Sequence, residues 1–598
     1  MSDHKERLTA LRRELEVRGL DGFMLSTGDE HITEWPAPFA HRLAWLTGFT
    51  GTAGAAIVLS DHAAMFIDGR YAAAVRDQVD GREFAFINVA QTSIGDWLAA
   101  TASSGAHIGY DPRLHSCAAV RAVQRSLAHA GVVLIAVPDN PVEAIWPDRP
   151  PRPASPLFAQ PIQLAGKASE EKIDEVAAWL RSADIDATVF IALDSIAWLF
   201  NIRSSDIAVA PLGYAFAICR RDGTCDLFVD EAKLGREIRY HLGNRVSLAP
   251  YDDFYAALGG MGGQRVSIDP ELSPIAIEQL LTAAGASVRE IRDPTQLPKQ
   301  IKNPVEIEGM RQAHIRDGAA VTRFLHWLSI EGPRGKQTEL SAAERLTAFR
   351  RELDGFHSVS FEPISAADAN GARPHYWPTA ASNRAIQADS VYLIDSGGQY
   401  FDGTTDVTRT VAIGRPRSEV RDRYTRVLKG HIAIACATFP EGTLGSRLDP
   451  LARLALWEAG LDYSHGTGHG VGHFLNVHEG PNHLPASPRP GETGIEAGMI
   501  LSNEPGYYKP NDYGIRIENL IVAVPRQVMG AEIPMLGFET ITWVPLDREL
   551  IDTALLTRAE LGWIDDYHAE VLTRIAPLVP PDTRAWLEQR TAPLTQNA

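Results

Sequence analysis

Apolar and polar positions alternate along the 598-residue chain in two rhythms, short apolar runs of strand length and amphipathic stretches of helical period. That mixture predicts an α/β (α+β) protein. A charged helix is expected over ERLTALRRELEVRGL, followed by RLAWLTGF around Trp45 and an apolar strand in AAMFIDGR running up to Asp68. The same order returns downstream as a helix in EEKIDEVAAWLRSADI, then SIAWLFNI around Trp198, then CDLFVDEA around Asp230. Order and local sequence both match, so the two segments read as copies of one small α/β unit. Neither copy is expected to carry a cluster of histidine and carboxylates or a glycine-rich phosphate loop, which predicts scaffold or gating domains.

Two interruptions divide the pattern. Between Pro138 and Pro161 there are eight prolines in 24 residues, and proline supplies neither a central-strand donor nor a helix interior. In LPKQIKNPVEIEGMRQAH, Asn303 is placed to cap a helix, Pro304 to be its first residue and Glu306 to complete a capping box. The expected domains are therefore residues 1–145, 162–302 and 303–598, a division in keeping with the length.

Candidate chemistry concentrates in the third segment. VYLIDSGGQYFDGTTDVTRTVAI predicts a strand ending at Asp395, a turn at Gly397–Gly398 and a return strand through Asp406 and Val407, so that two carboxylates converge. In SHGTGHGVGH, glycines alternate with larger residues. An extended chain there would project His465, His469 and His473 one way and leave the glycine side open for close packing. Glu504 precedes a Pro505–Gly506 turn, and Glu518 falls on the alternating strand of YGIRIENLIVAV. One Asp at a turn is ordinarily a cap. Apolar strands that carry Asp395 and Glu518 near their ends, however, need a cation or a partner to offset desolvation. Oxygen ligands with a single imidazole suit two Mn²⁺-type ions better than a thiolate-rich zinc site.

Composition narrows the classes. Hydrophobic residues make up 45% and charged residues 22%, ordinary values for a globular protein. The net charge of −18 argues against nucleic acid or an anionic membrane as the main partner. No run reaches the roughly 18 to 20 apolar residues that span a bilayer, and the amino terminus has no apolar signal stretch. The four cysteines, Cys117, Cys219, Cys225 and Cys436, form no CxxC pair. They are expected to be reduced, in a cytoplasmic protein.

The runs DSGGQYFDGTTDVTRT, HGTGHGVGHFLNVHEGP, NEPGYY and GIRIEN resemble those of the Xaa-Pro aminopeptidase (aminopeptidase P) family. The linker AIWPDRPPRP and the IKNPVEIEGMR helix resemble its three-domain, cytosolic-type branch. The resemblance implies two similar creatinase-type amino-terminal domains and a pita-bread catalytic domain. It implies that Asp395, Asp406, His469, Glu504 and Glu518 hold two divalent metal ions, Mn²⁺ by preference, with Asp406 and Glu518 bridging them. By the same match, His375, His465 and His478 handle substrate, and Arg516 is the arginine beside the last ligand. The tract before His375 matches the family loosely; His473 and Asp402 match no ligand and are expected to be structural.

The implied reaction removes the first residue of short peptides with proline in second place. The resemblance further implies attack by a hydroxide shared by the ions, a proton moved by Glu504, and a homodimer. A prolidase-like dipeptidase is the alternative within the fold. A metal-free binding module is the alternative from another class.

Overall fold

The computed structural model describes residues 2–489 and 491–594. They fall into two compact units. One takes the chain up to Gln160 with Lys167–Ala208 and Leu212–Gln296; the other takes Pro161–Gly166, Val209–Pro211 and the chain from Leu297 on.

In the first unit, helix α1 (Ser2–Val17) precedes strands β1 (Gly22–Ser26), β2 (Ala55–Leu59), β3 (Ala63–Ile67), β4 (Ala85–Asn88), β5 (His107–Tyr110) and β6 (Val133–Ala136). Helix α2 (Ser169–Ser182) precedes β7 (Ala187–Phe190), β8 (Ala215–Arg220), β9 (Cys225–Val229), β10 (Val246–Ala249), β11 (Arg265–Ile268) and β12 (Ser287–Glu290). The first sheet runs β4-β3-β2-β1-β5-β6 and the second β10-β9-β8-β7-β11-β12. Pairing directions also correspond, since β1 and β7 each have an antiparallel neighbour on one side and a parallel one on the other. Even the caps repeat, with Asp68 accepting from the Arg70 amide and Asp230 from the Ala232 amide, both at 2.9 Å. The two segments are thus one topology used twice.

Two expectations for this unit fail. It does contain a histidine among carboxylates. His31 Nδ1 lies 2.7 Å from the Ile191 carbonyl and Nε2 2.8 Å from the Tyr251 hydroxyl, which donates to Glu30 at 2.5 Å. Asp29 beside it accepts from the Tyr214 hydroxyl at 2.7 Å. Burial holds the His31 imidazole below its ordinary pKa, and both its ring nitrogens face oxygen atoms, so the cluster joins the two repeats as a buried core network. Nor are all four cysteines free. Cys219 and Cys225 are bonded, on facing positions of the β8–β9 hairpin with Cα atoms 4.2 Å apart. Cysteine spacing carries no sign of this, because strand register and not separation along the chain brings them together.

In the second unit, helix α3 (Pro304–Glu331) opens as the sequence predicts. Asn303 Oδ1 accepts from the Val305 and Glu306 amides at 2.9 and 3.1 Å, and Glu306 accepts from the Asn303 amide at 3.0 Å. After α4 (Glu339–Arg351), strands β13 (Ile364–Ala367), β14 (Ser390–Ser396) and β15 (Val407–Ile413) form an antiparallel sheet with β14 central. Helix α5 (Ser418–Ala435), β16 (Thr438–Pro440) and α6 (Asp449–Trp457) follow, then β17 (Gly468–Gly470), β18 (Glu479–Leu484), β19 (Ile500–Asn503), β20 (Gly506–Lys509), β21 (Tyr513–Arg516), β22 (Asn519–Pro525), β23 (Met535–Thr540) and α7 (Arg558–Ile575). A six-stranded sheet runs β16-β23-β22-β19-β17-β18, and β20 and β21 form a separate hairpin. Val420, Tyr424, Val427 and Leu428 of α5 meet Tyr513 and Ile515 of β21 and Ile564 and Val571 of α7 in one core cluster.

Candidate metal centre

Asp395 and Asp406 come from neighbouring strands, but not through the turn expected at Gly397–Gly398. After β14 the chain first enters a small three-stranded sheet (398–400 with 356–359 and 403–404) and only then returns as β15. Gly397 sits where a Cβ would lie 1.8 Å from the Thr405 carbonyl, so its role is close packing of the outgoing and returning chain. Asp395 on β14 pairs with Thr408 on β15, and Asp406 immediately precedes β15. Glu504 occupies the link between β19 and β20, and Glu518 the two-residue link between β21 and β22 rather than a strand interior.

The histidine run is not one extended strand. β17 holds only three residues, its register with β18 shifts between His469 and Gly470, and regular structure stops at Gly470. The three histidines therefore meet different surroundings. His469 Nε2 lies 3.6 Å from Asp406 Oδ2 and 3.4 Å from Glu504 Oε1. His465 Nε2 lies 2.8 Å from the Tyr508 hydroxyl. His473 is buried, and its Nε2 would be 3.1 Å from a Cβ at Gly309 of α3. The glycines do serve close packing. A Cβ on Gly468 would fall 1.9 Å from the Ser502 carbonyl, and one on Gly470 2.3 Å from that of Glu479.

Asp406, His469 and Glu518 each offer a ligand atom within 4.8 Å of the others. Asp395 Oδ2 accepts from Arg516 at 2.5 Å, and Glu518 Oε2 accepts from the Thr408 hydroxyl at 2.7 Å. The Asp395 Oδ1 and Asp406 Oδ1 atoms are buried and have no hydrogen-bond partner among the described residues. A buried carboxylate oxygen left bare is costly. Burial, reinforced by Glu518, Asp395 and Glu504, holds Asp406 well above the usual carboxylate range, and burial with Asp395 and Glu504 does the same to Glu518. Burial also pushes Glu504 up to about 7, against the pull of Arg516. Four crowded carboxylates with two bare oxygens and one imidazole fit divalent cations of oxygen preference.

The remaining expected residues lie in four settings. The His478 ring is 4.4 Å from that of His469 at a steep angle. Arg516 spans the site, donating to Asp395, to Thr408 Oγ1 at 3.2 Å and to the Tyr508 hydroxyl at 2.6 Å. His375 lies on the loop after β13, its ring 6.1 Å from Trp377, in a segment tied down by Tyr376 and Asn370 on the buried Glu339. Asp402 pairs with Arg316 of α3 on the turn between the small strands.

Sequence reasoning missed several supports. Tyr508, the last residue of NEPGYY, links His465 to Arg516. On α6, Asp449 accepts from the Thr467 hydroxyl at 2.7 Å, and its partner Arg453 donates to the His465 carbonyl at 2.6 Å. Beside His478, Glu479 is fully buried between Lys299 (3.0 Å) and Lys302, both supplied by residues ahead of α3. Only the presence of three charges at apolar positions could have marked that last group.

Fold and donor set define a class, the metallopeptidases with creatinase-type amino-terminal domains. Residues 308–525 match metallopeptidase family M24 and 534–594 the C-terminal region of peptidase M24. Residues 7–138 and 148–306 each match the creatinase/prolidase N-terminal domain. The chain is 40% identical over 610 residues to a probable Xaa-Pro aminopeptidase P of Coccidioides posadasii (strain RMSCC 757 / Silveira), covering 99% of this chain and 100% of that one. A crystal structure of X-prolyl aminopeptidase from Caenorhabditis elegans, described as a cytosolic enzyme with a dinuclear active site, superposes with a TM-score of 0.94 at 34% identity, covering 99% and 100% of the two chains. A recombinant prolidase from Thermococcus sibiricus shares the fold at a TM-score of 0.50 and 24% identity, over 64% of this chain and 99% of its own. The chain belongs to metallopeptidase family M24, in its Xaa-Pro aminopeptidase P branch.

Proposed function

We propose that the protein removes the amino-terminal residue from short peptides with proline in second place, using two divalent ions, Mn²⁺ by preference, held by Asp395, Asp406, His469, Glu504 and Glu518. The observation that carries this reading is the crowd of buried carboxylates with bare Asp395 and Asp406 oxygens, in a chain similar from end to end to Xaa-Pro aminopeptidases P. These five side chains would hold the pair of ions, four carboxylates supplying the charge and His469 the one imidazole. Bound there, the ions supply Lewis acidity and lower the pKa of a shared water. Glu504 takes a proton and delivers it to the departing proline nitrogen, which carries no N–H before cleavage. His375 and His478 donate to the carbonyl oxygen as charge builds on it. Arg516 fixes Asp395, and His465 with Tyr508 walls the proline pocket.

The reading extends to a cytoplasmic homodimer with two non-catalytic domains (1–145 and 162–302) and a catalytic one (303–598). No described helix is long and apolar enough to cross a membrane. Hydrolysis of Gly-Pro-Xaa, its Gly-Ala-Xaa analogue and the dipeptide Gly-Pro, before and after chelation and Mn²⁺ addition, tests the whole. The expected result is metal-dependent cleavage of the proline tripeptide alone, lost in Asp406→Ala and His469→Ala. Equal rates on proline and alanine peptides refute proline specificity. Preference for the dipeptide indicates a prolidase, and absence of bound metal by elemental analysis indicates a binding module.

A further inference from the structure

Arg409, in the run DVTRT, follows Asp406 by three residues and lies on β15 with only 1% of its surface exposed. Among the described residues no carboxylate pairs with its guanidinium, which is held instead by neutral groups from four parts of the chain. It donates to the Thr408 and Glu518 carbonyls at 2.8 and 2.7 Å, to the Val544 and Pro545 carbonyls at 2.8 and 3.2 Å, and to Asn519 Oδ1 at 2.8 Å. The Tyr567 hydroxyl of α7 accepts from it at 2.8 Å.

The network continues with a fixed direction. Because Asn519 Oδ1 accepts from Arg409, its Nδ2 is the atom facing His431 Nε2 at 3.2 Å and must donate. His431 Nε2 therefore accepts, and its Nδ1–H donates to the Asn503 carbonyl at 3.0 Å. Asn503 Nδ2 closes the network on the His431 carbonyl at 2.9 Å. Asn503 precedes Glu504 and Asn519 follows Glu518, so one chain of donors and acceptors reaches the backbone beside two of the acidic residues, while Arg409 itself follows the third, Asp406, by three positions.

We propose that Arg409, through Asn519 and His431, is a positioning residue that sets the separation of Asp406, Glu518 and Glu504 before metal binds. A planar fork reaching several carbonyls fixes strand positions in a way the single ammonium point of lysine does not. Groups that orient metal ligands from behind typically change metal affinity about 10- to 100-fold when removed.

The inference rests on the dinuclear reading above, and one set of measurements separates the two. Full-length wild type, Arg409→Lys and Asn519→Ala are titrated with Mn²⁺ by calorimetry, and Tm is measured with and without Mn²⁺. Expected are two equivalents bound by the wild type, affinity about tenfold or more weaker in both variants, a smaller Mn²⁺-induced rise in Tm, and a fall in kcat with KM little changed. No binding by the wild type refutes the dinuclear reading itself. Wild-type binding with unchanged affinity in the variants, and Tm lowered equally with and without Mn²⁺, shows a merely structural network and overturns the positioning role. If Arg409→Lys does not fold, Asn519→Ala, which cuts the link between Arg409 and His431 together with a long contact from the Tyr567 hydroxyl at 3.4 Å, decides by the same readings.

Discussion

Glu504 shows how burial and chemistry meet in one side chain. Its carboxyl rises from an ordinary 4.5 to about 7 because burial disfavours its charge. With such a shift the folded, metal-free protein holds a proton that the unfolded chain has already released between those two values. Folding stability therefore falls as pH rises through that window, by on the order of 3 kcal/mol from this group alone. Asp406 and Glu518 are shifted in the same direction. Divalent ions replace those protons, so metal binding strengthens as pH rises. Thermal melts at pH 5.5 and 8 should show the metal-free Tm falling with pH and the Mn²⁺-induced increment growing. An increment independent of pH sinks the claim, and Glu504→Gln should flatten part of the dependence.

At the scale of elements, the histidine run shows where sequence patterns stop. Alternation correctly marks the glycines, because Gly468 and Gly470 each face a backbone carbonyl of a neighbouring strand, but not the three-residue extent of β17. A Cβ at Gly470 would sit 2.3 Å from the Glu479 carbonyl on one side, in a strand whose other neighbour is β19. Gly470→Ala must displace His469 or β18, at a cost of about 1–3 kcal/mol, and should lower Tm and weaken Mn²⁺ binding together; unchanged values for both would contradict it. The helix start at Asn303 and the repeated α/β order were legible because caps and apolar periods are local. The excursion between β14 and β15, the links that carry Glu504 and Glu518, and the Cys219–Cys225 bond were not, since each depends on which distant strands lie side by side. Tyr508 stands inside a recognised run, yet only the fold reveals that it joins His465 to Arg516.

For the whole molecule, the division into two compact units with separate sheets predicts separable unfolding. All five proposed metal ligands belong to the unit that takes the chain from Leu297 on. A ligand that binds one folded unit stabilises that unit by mass action. Scanning calorimetry should resolve two transitions, of which Mn²⁺ raises one and leaves the other near its place; a single transition moving as a whole would show that the units unfold together. The negative balance of −18 needs no special function on this view, since only four of the 75 acidic residues are assigned to metal.

The buried group around Glu479 bears on where this protein can be divided. The match to family M24 starts at residue 308, and a chain begun there would keep every proposed ligand. It would also lose Lys299 and Lys302, leaving Glu479 as a buried charge without its cations, directly beside His478. Stranding such a charge costs about 3–5 kcal/mol. The smallest electrostatically self-sufficient catalytic piece therefore begins upstream of the family boundary, at or before Leu297, within residues that match the creatinase/prolidase N-terminal domain. The border that separates modules in sequence is not the border at which their charges balance.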